Sequence, residues 1–99
     1  MNTLQKYRNP INQLCRQFKV KKLYAFGSVV NDNFREDSDI VMLVDFDVMK
    51  EEDYADNYFD LKFSLEDLLH RPVDLLEEKA VHNPYLRKAI DLQKELIYR

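Results

Sequence analysis

The alternation of apolar and polar residues predicts two strands in the first half of the chain. The first is predicted over residues 21–26, and the second, after a polar stretch, over residues 39–46. One face of the second strand is wholly apolar and consists of Ile40, Met42, Val44 and Phe46. The other face carries Asp39, Val41, Leu43 and Asp45. We expect the apolar face to contact helices and the face with Asp39 to stay open for a ligand.

Two Asn-Pro pairs predict where helices begin. Asparagine is a favoured helix cap, and proline is favoured at the first helical position, where its missing N–H has no helical partner to lose. Asn9-Pro10 therefore predicts a helix that ends near Phe18, with an extra turn before it over residues 2–8. Asn83-Pro84 predicts a last helix in the same way. The apolar positions assigned to this last helix are Leu86, Ala89, Ile90, Leu96 and Ile97.

The strongest helical pattern lies within residues 51–71, from about Asp53. Its apolar stripe consists of Tyr54, Tyr58, Leu61, Leu65, Leu68 and Leu69. Phe59 and Phe63 are four residues apart and fall on nearly the opposite side of the helix. Two interpretations of this pair remain open: the rings pack under the last helix, or they form a surface for a partner.

A third strand is predicted over residues 73–76, after Pro72 ends the long helix. Because a strand–helix–strand unit forms a right-handed crossover, we expect the second and third strands to be parallel. Asp74 then lies near Asp39, since each stands at the start of its strand. The predicted fold class is α/β, with a small mixed sheet, helices packed on one face, the site on the other, and one domain over residues 1–99.

A glycine-serine turn at the end of the first strand is the main candidate for ligand chemistry. Gly27 is the only glycine in the chain, and at a strand end it allows a positive φ and close approach of a ligand. Ser28 can add a hydroxyl to a ring of backbone N–H groups, which is how phosphates are held. In an antiparallel strand pair, Asp39 lies beside this turn. Taken singly, Gly27-Ser28 fits a plain turn and Asp39 fits a capping acid.

The spacing of these residues resembles the signature of a known family. Gly27-Ser28, ten intervening residues and Asp39-Ile40-Val41 resemble the G-S-x10-D-x-D motif of minimal nucleotidyltransferases (MNT) in the DNA polymerase beta superfamily. The segment RPVDLLEEKA, residues 71–80, resembles the part of the family that carries a third carboxylate. The likeness covers residues 20–98 and implies a polymerase beta-like nucleotidyltransferase fold. Val41 stands where the family has its second aspartate.

The resemblance implies roles for four residues, and a fifth is a candidate. Gly27 and Ser28 match positions that bind the phosphates of a nucleoside triphosphate, here ATP. Arg35, the only basic residue between Lys22 and Lys50, is the candidate for a further phosphate contact. Asp39 and Asp74 match catalytic carboxylates that hold Mg²⁺, the ion that clamps the reacting oxygens in nucleotidyl transfer.

Two functions follow from this resemblance and from Val41. The first is an enzyme that transfers a nucleoside monophosphate from ATP to a protein hydroxyl, as MNT antitoxins paired with HEPN-domain toxins do. The second is a binding protein that keeps the fold, has lost the chemistry because Val41 offers no metal ligand, and acts through contact with another protein. The expected partners are a nucleoside triphosphate and either a HEPN-domain protein or a second copy of the chain.

Charge is divided unevenly along the sequence, although the net charge is only −3. Residues 1–22 carry six basic side chains and no acidic one, whereas residues 23–79 carry sixteen acidic and five basic side chains. Phosphates would be repelled by the acidic middle, so we expect no direct binding of nucleic acid there. The acidic middle would suit metal ions or a basic protein partner, or its side chains simply solvate helix faces.

Cysteine, histidine and hydropathy restrict the remaining classes of function. Cys15 is the only cysteine, which fits a reducing cytoplasm, and its helical spacing with apolar neighbours favours core packing. His70 and His82 have no ligand spacing with a cysteine and are interpreted as surface or cap residues. The longest apolar run has five residues, so we expect no membrane span.

Overall fold

A computed structural model describes residues 3–26 and 40–99 of the chain. The elements in chain order are a 3₁₀ helix (Thr3–Tyr7), α1 (Arg8–Gln17), β1 (Val20–Phe26), β2 (Ile40–Phe46), α2 (Glu51–Leu69), β3 (Val73–Glu77), a second 3₁₀ helix (Glu78–Ala80), α3 (Pro84–Gln93) and β4 (Glu95–Tyr98). The strands form one sheet in the order β3-β2-β1-β4. β1 is antiparallel to β2 and β4, and β2 is parallel to β3. The predicted α/β class, mixed sheet and parallel crossover are confirmed.

The apolar face of β2 packs against α1 and α2, as its alternation predicts. Ile40, Met42, Val44 and Phe46 are buried in one core cluster with side chains from both helices. α1 contributes Ile11 and Cys15, and α2 contributes Leu61, Leu65 and Leu69. Tyr54, Tyr58 and Leu68, the other members of the predicted α2 stripe, are partly buried against the same cluster. The hydrophobic effect therefore fixes which face of the sheet the two helices cover.

The interpretation of Leu96 and Ile97 as helical positions is wrong. α3 ends at Gln93, Lys94 takes an extended conformation, and both residues belong to β4. β4 pairs with the edge of β1 that β2 leaves free, so this partner overrides the helical spacing. The Asn83 cap is confirmed, because its side chain accepts hydrogen bonds from the N–H groups of Tyr85 and Leu86.

The predicted Asn9 cap is also wrong. α1 begins at Arg8 and Tyr7 occupies the cap position, because the preceding 3₁₀ helix runs directly into α1. Pro10 is tolerated at the third helical position, since the N–H groups of the first turn have no helical acceptor. The extra turn predicted before α1 is confirmed as this 3₁₀ helix.

Two smaller predictions concern single side chains, those of Cys15 and of the two histidines, and the structure tests both. Cys15 is fully buried, and burial raises the pKa of its thiol to about 12. His70 is the left-handed cap of α2, and its N–H donates to the Glu66 carbonyl, while His82 is exposed. Within residues 3–26 and 40–99, none of the helices has the length and hydropathy to cross a membrane.

Candidate functional site

Three strands bring Phe26, Val41 and Asp74 into one row across the sheet. Val41 is the register partner of Phe26 in the antiparallel pair and of Asp74 in the parallel pair. Register partners project from the same face of a sheet. Because the neighbours of Val41 on β2 belong to the core face, this row lies on the opposite face. Asp74 is exposed, and Phe26 and Val41 are partly buried.

Four of the five predicted site residues lie outside the described part of the chain. These residues are Gly27, Ser28, Arg35 and Asp39. The structure does place the residues on either side of this segment, since Phe26 ends β1 and Ile40 begins β2. Asp74 is the fifth predicted site residue and lies in the row with Phe26 and Val41. The roles assigned to all five residues therefore stay predictions.

The oxygen ligands available in this row are few. Of its three side chains only Asp74 carries a carboxylate, and Val41 presents methyl groups beside it. Magnesium requires hard oxygen ligands in near-octahedral geometry. Across the described ranges, no three or more His, Cys, Asp or Glu side chains are grouped so that they could hold a metal ion. Asp74 and the predicted Asp39 would together supply two carboxylates, so the residues do not fit a complete three-carboxylate site.

Asp45 lies at the opposite end of β2 and does not replace the missing ligand. It follows Val41 by four residues, a distance of about 13 Å along a strand. Its Oδ1 lies 3.4 Å from Nζ of Lys79, and its register partner on β1 is Lys22. The carboxylate of Asp45 is thus engaged with lysine at the far end of the strand.

On the open face of β2, Val41 and Asp45 at the two ends are partly exposed, whereas the middle of the face is covered. Leu43 is two residues further along β2 on the same face and is fully buried. Nζ of Lys94 lies 4.4 Å from the ring centroid of Tyr24, the register partner of Leu43. This cation–π contact places the junction of α3 and β4 over the middle of the face. A ligand on this face therefore has access beside Phe26, Val41 and Asp74.

Glu78 holds this covering junction in place. Its Oε1 lies 2.8 Å from Nη2 of Arg87 and 3.5 Å from Nζ of Lys94. Burial opposes ionisation of Glu78, but the hydrogen bond from Arg87 and the charges of Lys94 and Arg87 outweigh it, so the pKa of Glu78 lies below its ordinary value. The network ties the second 3₁₀ helix, which directly follows β3, to α3 and to Lys94.

Tyr58 is a neighbour of the site that sequence reasoning assigned only to the core stripe. Its hydroxyl donates to the backbone carbonyl of Leu75, the residue after Asp74. Burial, and then the negative charge of Asp74, raise the pKa of Tyr58 above its ordinary value. The one signal in the sequence was a hydroxyl at a stripe position where leucine would have been sufficient for packing.

A family model and two related sequences all match this chain to nucleotidyltransferases. The family model described as "Nucleotidyltransferase domain" matches residues 8–98. Candidate protein adenylyltransferase MJ1379 of Methanocaldococcus jannaschii is 38% identical over 82 residues, which are 83% of this chain and 79% of that protein. Candidate protein adenylyltransferase MJ0128 of the same organism is 40% identical over 85 residues, covering 86% of this chain and 82% of that protein.

Solved structures share the fold. A candidate minimal nucleotidyltransferase superposes with a TM-score of 0.75 at 32% identity, covering 96% of this chain and 95% of its own. The structure of a toxin-antitoxin with AMP-PNP gives a TM-score of 0.70 at 24% identity, covering 91% of this chain and 71% of its own. The structure of a tri-AMPylated HEPN toxin of Shewanella oneidensis in complex with MNT antitoxin gives a TM-score of 0.60 at 24% identity. The superposition covers 96% of this chain and 71% of the matched chain. At these lower identities the likeness concerns the fold alone.

Proposed function

Because this chain belongs to the nucleotidyltransferase domain family, we propose that it is a protein-binding, antitoxin-like partner of a HEPN-domain protein, with a nucleotidyltransferase metal site that lacks one ligand. The observation that carries this proposal is the register pair of Val41 and Asp74. An apolar side chain stands directly beside the one described carboxylate of the row. The place of action that we propose is the cytoplasm, since Cys15, the only cysteine, is a free and buried thiol.

The chemistry explains why one missing ligand matters. When bound, magnesium neutralises the charge that develops on phosphate oxygens during nucleotidyl transfer. In our proposal Asp39 and Asp74 hold one ion weakly, with water in its other positions. Gly27, Ser28 and Arg35 bind the triphosphate of ATP. Val41 leaves one side of the site without an oxygen, so metal binding and transfer are both weak.

A second candidate function is an active enzyme that transfers AMP from ATP to a hydroxyl of its protein partner. The identities of 38% and 40% to candidate protein adenylyltransferases favour it, since these alignments extend over more than four-fifths of the chain. In this case Asp39 and Asp74 are sufficient to hold magnesium, and Val41 only shapes the pocket. The two candidates differ in what the unaltered protein does with ATP.

The substitution Val41→Asp distinguishes them. It restores a carboxylate on the open face, where Val41 is partly exposed and a charge can be hydrated. Since even outer-shell changes alter metal affinity by about 10–100-fold, a direct ligand should tighten magnesium binding by at least about tenfold. The matched control is Val48→Asp, which adds the same charge at a side chain that is 98% exposed and outside the site.

The assay follows transfer of label from ATP labelled at the α-phosphate to a HEPN-domain protein, with magnesium titrated by calorimetry. We expect little transfer by the unaltered protein and by Val48→Asp, and transfer well above background by Val41→Asp. Strong transfer by the unaltered protein would establish the second candidate instead. If Val41→Asp neither binds magnesium more tightly nor transfers label, the site lacks more than one ligand and the proposal is wrong on this point.

A further inference from the structure

The outer surface of α2 carries an exposed aromatic pair. Phe59 and Phe63 are 49% and 52% exposed, and their rings stack with centroids 6.0 Å apart and planes at 25°. The interpretation that both rings pack under the last helix is therefore wrong, and the alternative, a surface for a partner, stays a prediction. Tyr58 contacts the Phe59 ring edge to face, at a centroid distance of 5.1 Å. The pair is thus a preformed apolar surface on a rigid helix.

A groove runs between this surface and the sheet edge. Its volume is about 330 Å³, and it is lined by Tyr54, Tyr58 and Phe59 from α2 and by Leu75, Leu76 and Glu77 from β3. Most of these side chains are apolar or aromatic. We call this site the α2–β3 groove. It begins one residue after Asp74, so an occupant lies next to the candidate functional site.

Side chains of α2 occupy part of the outer edge of β3. The Ile40 N–H donates to the Pro72 carbonyl, which faces β2. In a parallel ladder, alternate residues of a strand bond to a given neighbour. Val73 and Leu75 therefore direct their backbone N–H and C=O groups away from β2. The Val73 N–H donates to Oε2 of Glu66 at 2.9 Å, and the Leu75 carbonyl accepts from Tyr58. Because α2 side chains already satisfy two of these groups, contact through side chains, as a helix makes, is favoured over pairing of an added strand.

The charge around the groove defines the chemistry of the occupant. Along its whole length α2 contains seven acidic side chains and one basic side chain, Lys62, whose Nζ lies 5.6 Å from the Phe63 ring centroid. Asp56 and Asp60 are both exposed, stand one helical turn apart, and lie on either side of Phe59 in the sequence. Complementary potential favours a positively charged partner and penalises an acidic one, including a second acidic α2.

We propose that the α2–β3 groove, together with the stacked Phe59–Phe63 pair that adjoins it, docks a basic amphipathic helix of the protein partner. Two apolar side chains of that helix, one turn apart, pack against Phe59 and Phe63, and its lysine or arginine side chains face Asp56 and Asp60. This inference rests on the proposed function, since it supplies the surface through which that partner binds. The docked helix lies along the edge strand that carries Asp74.

The test uses a fluorescein-labelled helical peptide with leucine at i, i+4 spacing and lysine at the flanking positions, and measures fluorescence anisotropy. The double substitutions Phe59→Ser with Phe63→Ser, and Asp56→Lys with Asp60→Lys, should each weaken binding by at least about tenfold. The matched control is Tyr85→Ser with Leu92→Ser on α3, where the side chains are 85% and 77% exposed and lie outside the groove. This control should bind as the unaltered protein does, and a peptide with glutamate in place of lysine should not bind.

The outcomes that overturn the inference are equally specific. Unchanged affinity in the aspartate variant, whose exposed positions leave the core intact, would remove the groove as a site for a basic helix. Equal binding of the glutamate peptide would have the same effect. A concentration-dependent dimer of the unaltered protein, lost on Phe59→Ser with Phe63→Ser, would show that a second copy covers this face. The peptide assay contains no ATP or magnesium, so its failure is distinguishable from a failure of the proposed metal site.

Discussion

Replacing Tyr58 by phenylalanine tests the contact between α2 and the sheet edge. The substitution removes one hydroxyl and keeps the ring that packs against the core. The hydroxyl is the donor for the Leu75 carbonyl, which points away from the sheet at its edge. The structure therefore predicts a loss of stability from one hydrogen bond, without a cavity.

The magnitude follows from the partial burial of this bond. A buried neutral hydrogen bond contributes about 1 kcal/mol to the free energy of unfolding. Tyr58 is only partly buried, so water can reach the carbonyl in the variant and the loss should be about 0.5–1 kcal/mol. Urea unfolding at pH 7, followed by circular dichroism, measures it. Tyr85→Phe is the matched control, because the Tyr85 side chain is 85% exposed, and its stability should be unchanged.

The pKa of Tyr58 adds a dependence on pH with a definite sign. Burial and the Asp74 charge raise this pKa in the folded protein, so the neutral hydroxyl stabilises the fold fully below the unfolded pKa of about 10. Above that pH the unfolded chain ionises first, and the contribution is lost as the pH rises through the folded pKa. The difference in stability between the unaltered protein and Tyr58→Phe should therefore shrink above about pH 10.

Two results would refute this reasoning about Tyr58. The first is an equal free energy of unfolding for the unaltered protein and Tyr58→Phe at pH 7. The second is a difference that stays constant between about pH 7 and pH 11, because it would show that the hydroxyl does not ionise differently in the folded protein.

Two further predictions concern the α3 cap and the buried thiol. Asn83→Ala removes the acceptor of the Tyr85 and Leu86 N–H groups and should lower the free energy of unfolding, measured with urea, by about 1 kcal/mol. Asn83→Asp keeps an acceptor and should retain most of the stability, and equal stability of all three proteins would contradict the cap. Burial raises the pKa of Cys15 to about 12, so an aromatic disulfide reagent at pH 8 should react with its thiol in urea but not in the native protein, and rapid native reaction would contradict the burial.

Much of the fold could be predicted because its signals are local. The alternation in β2 separates Val41 from the core set, and Pro72 marks the end of the long helical pattern. The rule for strand–helix–strand crossovers then makes β2 and β3 parallel, which the structure confirms. These steps place Asp74 near the start of β2, but they do not give the register that makes Val41 its partner.

The missed features depend on distant partners. β4 has four residues, and nothing in Leu96 or Ile97 distinguishes a short strand from the end of a helix until the free edge of β1 is known. Asn9 and Pro10 carry a correct local signal, but the helical turn before them moves the start of α1 to Arg8. The bond from Tyr58 to the Leu75 carbonyl joins residues 17 positions apart, which no periodicity reveals.

Because α2 connects β2 to β3, the alignment of Val41 with Asp74 depends on the equilibrium between packed and unpacked α2. β3 lies at the sheet edge and is held by β2 on one side and by α2 side chains on the other, so Asp74 keeps its place only while α2 stays packed through Leu61 and Leu65. A ligand that binds only the packed form stabilises it by about 2.7 kcal/mol at a hundredfold excess over its Kd. A partner on the outer face of α2 would thus favour the assembled site without contacting Asp74. The cellular concentration of that partner would then control the fraction of molecules in which the site is assembled.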